Sequence, residues 1–316
     1  MIATEPRMML AAKLESTEGT VNAPAGSDAD NLIYDVSGWD PDIAQFLRKP
    51  LANDQSPYSS IPGTRKAAIT FKVEVKGSGA AGTAPKIGKL IKLAGYGETV
   101  VGGTSVTYDP ISVAIPTATL DFYTLPESGN ALRFRIKGAR VSACQVVGKV
   151  GEAVLIQMTV SGVYDSVADA TQLTASGLET TLPPALLSAA FAVHSYAHKI
   201  AGFTIDEGIR GVYREDINLA AGVLSYLITG REPKLTFDPE QELVATHDYY
   251  GILLAGTLST LTVAIGATAG NICTITGPKV QYLSVKPGKR GELAIFTVDA
   301  ALRRSAGNDH LKFAFT

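Results

Sequence analysis

Residues 65–95 read RKAAITFKVEVKGSGAAGTAPKIGKLIKLAG, and the reading of this stretch decides the fold. Phe71, Val73 and Val75 alternate with Lys72, Glu74 and Lys76, the two-residue period of a strand buried on one face. A glycine-rich bend comes next, Gly77 to Gly82, and then a short amphipathic helix. Pro85 opens that helix near its first turn, where a missing amide costs nothing. Ile87, Leu90, Ile91 and Ala94 fall at i, i+3, i+4 and i+7, with Lys86, Lys89 and Lys92 off the stripe.

The bend Gly77-Ser-Gly79-Ala-Ala-Gly82 also satisfies the G-x-G-x-x-G spacing of a dinucleotide site. Its surroundings argue against a nucleotide. The strand is amphipathic, whereas the first strand of a parallel nucleotide-binding sheet is apolar on both faces. After the helix the chain runs GYGETVVGGTSVTYDP, a turn-rich hairpin sequence, and not a second apolar strand ending in an acid. Beyond it the alternation stays strand-like, with no βαβ rhythm. The glycines are expected to let the backbone turn sharply and pack closely.

Composition narrows the class. The 316 residues suffice for two domains of ordinary size. Charged residues make up 18%, below the roughly 25% of an average domain. A surface with so little charge is expected to be covered by partners. A net charge of −2 gives no electrostatic footprint for tight nucleic-acid binding. Cys144 and Cys273 lie in strand-like runs without a C-x-x-C, and read as reduced core residues of an intracellular protein. The N-terminus lacks a signal-peptide core. The best apolar stretch, 186–197, is broken by His194 and too short to span a bilayer, so no membrane insertion is expected.

In chain order, strands are expected at about 8–15, 32–36, 105–113, 117–123, 131–143 and 153–164. Residues 38–66 form a long proline- and polar-rich connection, of a length that is usually functional or ordered by a partner. Residues 165–185, with Pro183-Pro184, read as a linker. After the linker the pattern returns. Arg65-x4-Thr70-Phe71-x2-Glu74 recurs as Arg231-x4-Thr236-Phe237-x2-Glu240, and Ala94-Gly95 as Ala255-Gly256. Thr119-Leu120 and Gly129-Asn130 recur as Thr260-Leu261 and Gly270-Asn271. Gly138-x-Arg140-Val141 matches Gly277-x-Lys279-Val280, and Gly148-Lys-Val-Gly151-Glu152 matches Gly288-Lys-Arg-Gly291-Glu292. The order is kept throughout, as a duplication requires if the first copy carries an extra hairpin at about 96–116. The expectation is a mainly β chain of two tandem domains, 1–165 and 186–316, each with a short flanking helix, joined by the linker 166–185. A repeated unit with the same edges invites pseudo-symmetric assembly.

Candidate chemistry is sparse. His194 and His198 are four apart, but no third metal ligand is evident, His247 and His310 stand isolated, and surface or interface histidines are expected. No G-x-S-x-G, H-E-x-x-H, P-loop or EF-hand pattern occurs, so neither an enzyme nor a cofactor is expected. Asp28/Asp30 and Asp206/Glu207 read as solvated loop carboxylates. Arg133, Arg135 and Lys137 alternate with Phe134 and Ile136 as a basic strand face, either solvated or paired with a neighbouring subunit's acidic loop. In the long connection, Trp39 and Phe46, with Arg48 and Tyr58, are candidate subunit or ring contacts; the alternative for Trp39 and Phe46 is packing on their own domain.

The segments MMLAAKLESTEGT and ITFKVEVKGSGAAGTAPKIGKLIKLAGYGE resemble the tail tube (major tail) proteins of long-tailed bacteriophages and prophages, especially Mu-like siphophages. The likeness covers most of residues 8–165. It is most specific in VEVKGSGAAGTAPKIGKLIKLAG and weaker in GARVSACQVVGKVGEAVLIQMTVSGVY. The resemblance implies a β-sandwich with one helix, whose inner sheet joins its neighbours in a barrel around a lumen. It also implies rings stacked into the virion's tail tube, assembled in the host cytoplasm, with the 38–66 loop reaching an adjacent subunit or ring. The implied partners are the chain itself, a tape measure protein, and tail terminator and distal tail or baseplate proteins. Phage DNA would pass through without specific binding, so a neutral-to-acidic lumen is expected, with the basic strand face turned away or paired. The second half departs from the single-domain pattern. Two tube folds per chain would let three chains build a pseudo-sixfold ring. The rival within that machinery is another tail component, such as a distal tail protein or the tube of a sheathed tail.

Overall fold

The computed structural model describes the backbone of residues 3–51 and 53–316. The chain is mainly β. Its first half runs β1 (Ala3–Leu14), β2 (Ile33–Phe46), β3 (Ile61–Glu74), α1 (Gly88–Leu93), β4 (Tyr96–Val101), β5 (Ser105–Pro110), β6 (Ala118–Pro126), β7 (Ala131–Lys149) and β8 (Leu155–Ala170). Next come β9 (Ala190–Val193), β10 (Tyr196–Ala197), β11 (Gly202–Asp206), β12 (Ile209–Glu215), β13 (Val223–Arg231) and β14 (Lys234–Phe237). The chain closes with α2 (Tyr249–Ala255), β15 (Ser259–Ile265), β16 (Cys273–Arg290), β17 (Leu293–Arg303) and β18 (Lys312–Phe315).

Hydrogen bonds link the first-half strands along the path β1-β6-β7-β8-β3-β2. In the second half the path is β9-β15-β16-β17-β14-β11. The two paths visit strands in the same chain order, with a helix after the third strand of each. The sequence echoes fall at matching points. Phe71 on β3 and Phe237 on β14 are both buried. Gly95 and Gly256 follow α1 and α2 with φ of 86° and 60°, and Gly151 and Gly291 turn β7 into β8 and β16 into β17 with φ of 79° and 59°. Only a residue without Cβ holds such angles cheaply, which is why glycine stands at these four turns. The β4–β5 hairpin is the piece that the second path lacks.

Three boundaries differ from expectation. The 38–66 connection is largely an antiparallel ribbon, since β2 and β3 stay paired out to Phe46 and Ile61. Pro41 is tolerated there because β2 is an edge strand. Strand β8 continues through the expected linker start to Ala170, paired with Ala131. The strandless stretch is 171–189, and it is tied down by Ser176 N–H to Gly26 O and Glu179 N–H to Asp30 O, both 2.9 Å.

The halves share one sheet. β11 sits between β14 and β7, with Phe203 opposite Phe237 on one side and Gly148 on the other. A Cβ at Gly148 would lie 2.5 Å from the Phe203 ring, so only glycine admits that ring. At the far end β18 bridges β16 and β5. One apolar core runs from Leu10 through Phe71, Leu90, Ile156, Phe237 and Ile275 to Phe315. α1 buries Leu90, Ile91 and Leu93 in it, as its period requires.

The glycine bend is filled from the second half. Gly77 N–H donates to Asn271 Oδ1 at 2.8 Å, and Gly79 N–H to Gly270 O at 3.0 Å. A Cβ at Gly77 would fall 2.0 Å from Gly270 O. Close backbone packing, and not a phosphate cradle, accounts for these glycines, with Gly82 lying equally close against Gly103. Phe71 is fully buried where β3 meets β8. Truncating it by Phe71→Ala is expected to cost about 3–5 kcal/mol, read as a fall in denaturant midpoint at unchanged slope. A loss under about 1 kcal/mol would contradict this placement.

Candidate assembly surface

The joint between the halves is more than a ladder of backbone bonds. The β12–β13 hairpin lies across β7, β8 and β3. Beneath it the buried Arg140 guanidinium donates to Tyr226 O at 2.6 Å, to Glu18 at 2.9 Å and through two nitrogens to Ile115 O. Burial alone would raise the Glu18 carboxyl, but bonds from Ser225, Arg140 and Arg214 outweigh it and hold it below the usual range. At the other edge Arg231 caps α1. Its Nη2 donates to Ala94 O at 2.9 Å and Gly95 O at 2.8 Å, its Nη1 to Ile111 O at 3.3 Å. The guanidinium also lies over the Tyr96 ring, 5.8 Å from its centroid.

Glu207, expected in solvent, is fully buried in this joint and accepts the Tyr96 hydroxyl proton in a hydrogen bond. Burial, reinforced by the Glu207 charge, pushes the Tyr96 phenol well above its ordinary value. Asp30 is likewise buried, ion-paired with Lys89 at 2.5 Å. Both corrections have one cause: the cation or hydroxyl that compensates each carboxylate lies far away in sequence.

The basic strand face finds its partners within the chain. Arg135 makes a two-pronged pair with the buried Asp121, both bonds 2.6 Å, and this holds the guanidinium above its usual range despite burial. Lys137 sits 3.3 Å from Asp165, and Arg133 reaches Ser166. Arg135 and Lys137 thus find acids within the chain, whereas among the described residues Arg133 pairs with no acid and its buried Nε has no hydrogen-bond partner.

Of the arm residues, Trp39 packs back on its own fold, against Phe134 and Tyr164 at ring separations of 5.2 and 5.9 Å. Phe46 is 66% exposed at the end of the ribbon. In the strandless tip beyond it, Leu51 is fully exposed and Arg48 stands over the half-exposed Tyr58. Several strands, β1, β4 and β10 among them, pair on one side only among the described residues, and two such open stretches bear on the joint between the halves. Among the described residues, β2 pairs with β3 alone, and Val285–Lys289 of β16 with β17 alone. Phe296, opposite Pro287, donates its N–H away from β16 to Pro239 O, so the position of Pro287's missing donor faces the open side. Of the repeated acids, Glu74 accepts from Tyr34 at 2.5 Å, Glu240 pairs with Arg290 at 3.0 Å, and Glu152 with Lys149 at 2.5 Å.

Two of the four histidines, His198 and His247, depart from the expectation of surface or interface groups. His198 and His247 are buried, ring centroids 4.9 Å apart, in an aromatic nest with Tyr196, Tyr249 and Phe237, and His194 packs tilted against Tyr282 nearby. His198 Nε2 lies 3.2 Å from Val193 O, which can only accept, so Nε2 carries the proton and Nδ1 accepts from the Tyr249 hydroxyl at 2.8 Å. Among the described residues, no group of three or more histidine, cysteine or acidic side chains is arranged to hold a metal ion. Comparison with protein-family models and with curated proteins returns no match.

Burial, aided by the His247 charge, lowers His198 to about 4, and burial lowers His194 and His247 as well. Unfolded, all three titrate near 6.5. Above about pH 7 both states are neutral and the nest carries no penalty. Between pH 7 and 4 the unfolded chain takes up protons that the fold refuses, so stability falls, by on the order of 3 kcal/mol from His198 alone. Chemical denaturation across that range checks this: His198→Gln should flatten the profile, and an unchanged pH slope would contradict the assignment.

Proposed function

We propose that this chain is a self-assembling tube subunit, and specifically the tail tube protein of a long-tailed phage or prophage. One observation carries the reading. Inside the chain, the first repeat receives the second by pairing β11 to β7, while the first repeat's own counterpart of β11, β2, ends on an open edge. The counterpart of the receiving stretch of β7, Val285–Lys289 of β16, is open as well. A molecule that exposes, on two of its open sheet edges, the two halves of a joint it has already made once internally is completed by copies of itself.

The low charge, the exposed arm and the resemblance of residues 8–165 all support this reading. Three chains supply six repeats, enough to close a pseudo-sixfold ring, and rings stacked through their arms make a tube. In this role the chain is structural and works without a cofactor. Its partners are its own copies, the tape measure protein within the growing tube, and the terminator and distal tail proteins at its ends. DNA crosses a lumen that does not hold it, since each neutralised phosphate would add salt-sensitive affinity.

Negative-stain electron microscopy of the purified protein tests the proposal. Rings or hollow tubes with sixfold-like end-on views, built from three chains, are expected. A particle that remains a monomer at every concentration would overturn it.

A further inference from the structure

Resting on the self-assembly reading, we infer that Arg65 of one chain caps α2 of its neighbour, as Arg231 caps α1 within the chain. The internal joint, applied a second time between chains, leads to this contact. Arg231 and Arg65 are the same residue of the repeat, each 6 positions before the buried phenylalanine of its strand. Each also has an isoleucine opposite it in the ribbon: Ile209 pairs with Arg231, and Ile43 with Arg65. Arg231 spends its guanidinium on Ala94 O and Gly95 O at the end of α1. Arg65 is exposed, and among the described residues its side chain makes no ion pair or hydrogen bond, although its backbone N–H is fixed to Ala221 O at 3.0 Å.

The receiving end matches. Ala255-Gly256 ends α2 with the same left-handed glycine, and no hydrogen bond to either carbonyl forms among the described residues. Leu254 is 87% exposed where its counterpart Leu93 is fully buried. Unsatisfied carbonyls at a helix C-terminus beside a bare leucine favour a cation on an apolar stem, which is what arginine offers. Two elements of the internal contact have no counterpart. Ile111 belongs to the hairpin that the second repeat lacks, and Thr257 stands where the first repeat has Tyr96. The contact between chains is therefore two carbonyl bonds and the leucine contact, weaker than the contact within one.

The test places one cysteine beside each partner and leaves Arg65 intact. Full-length Ile43→Cys and Ala255→Cys chains are co-expressed and treated with a short bismaleimide. The native Cys144 and Cys273 are buried, and burial pushes both thiols up, so they stay silent. The pair is expected to give covalent dimers at least tenfold faster than Ile43→Cys with Gly102→Cys, a control in the open β4–β5 turn. Adding Arg65→Glu should abolish the difference, and Arg65→Lys should restore part of it. If electron microscopy finds assembled particles but the first pair links no faster than the control, this contact is wrong while self-assembly stands. If no particles form, both fall.

Discussion

The antiparallel pairing of β11 with β7 is the constraint on which the rest of this structure depends. Each strand at a sheet edge carries donors and acceptors that must be paired or left to water. By inserting β11 between β14 and β7, the chain makes one sheet and one core out of two units. The placement of the β12–β13 hairpin over β7, β8 and β3 follows from that insertion, as do the burial of Phe203 against Gly148 and the packing of the glycine bend against Gly270 and Asn271.

Around this ladder the polar contacts give specificity more than stability. Arg140, Glu18, Glu207 and the Arg135–Asp121 pair lose hydration that their mutual attraction only roughly offsets. Arg231 is the clearest case: its carbonyl partners sit at the end of a helix and leave one geometry for the hairpin that carries it.

Much of this is legible in the residues, and the part that is not has a physical reason. The strand through Phe71, the helix through Leu90 and the hairpin after it declare themselves by local period. The likeness between the halves is legible partly because positive backbone angles call for glycine at positions 95, 151, 256 and 291. The ribbon from Trp39 to Lys66 reads as a loop because Gly38, Pro41 and flanking acids break its alternation, while tertiary pairing restores it. The exposed Phe46 and Tyr58 stand out in the sequence as they do in space; Trp39 does not, since its ring partners Phe134 and Tyr164 lie far along the chain. The same distance hides the carboxylates and histidines. Glu207 and Tyr96 are 111 residues apart, and nothing near either one announces the other.

Pro287 sits on the open stretch of β16 with its donor position toward the gap. An arriving strand therefore meets a ladder with one rung missing and gains full pairing only in a register that sets no acceptor opposite that place. Indiscriminate stacking, the route by which bare edges grow into fibrils, is penalised at every wrong register. In the assembly proposed above, the imino acid would act as a key cut into the edge, favouring a strand shaped for it over other unfolded chains.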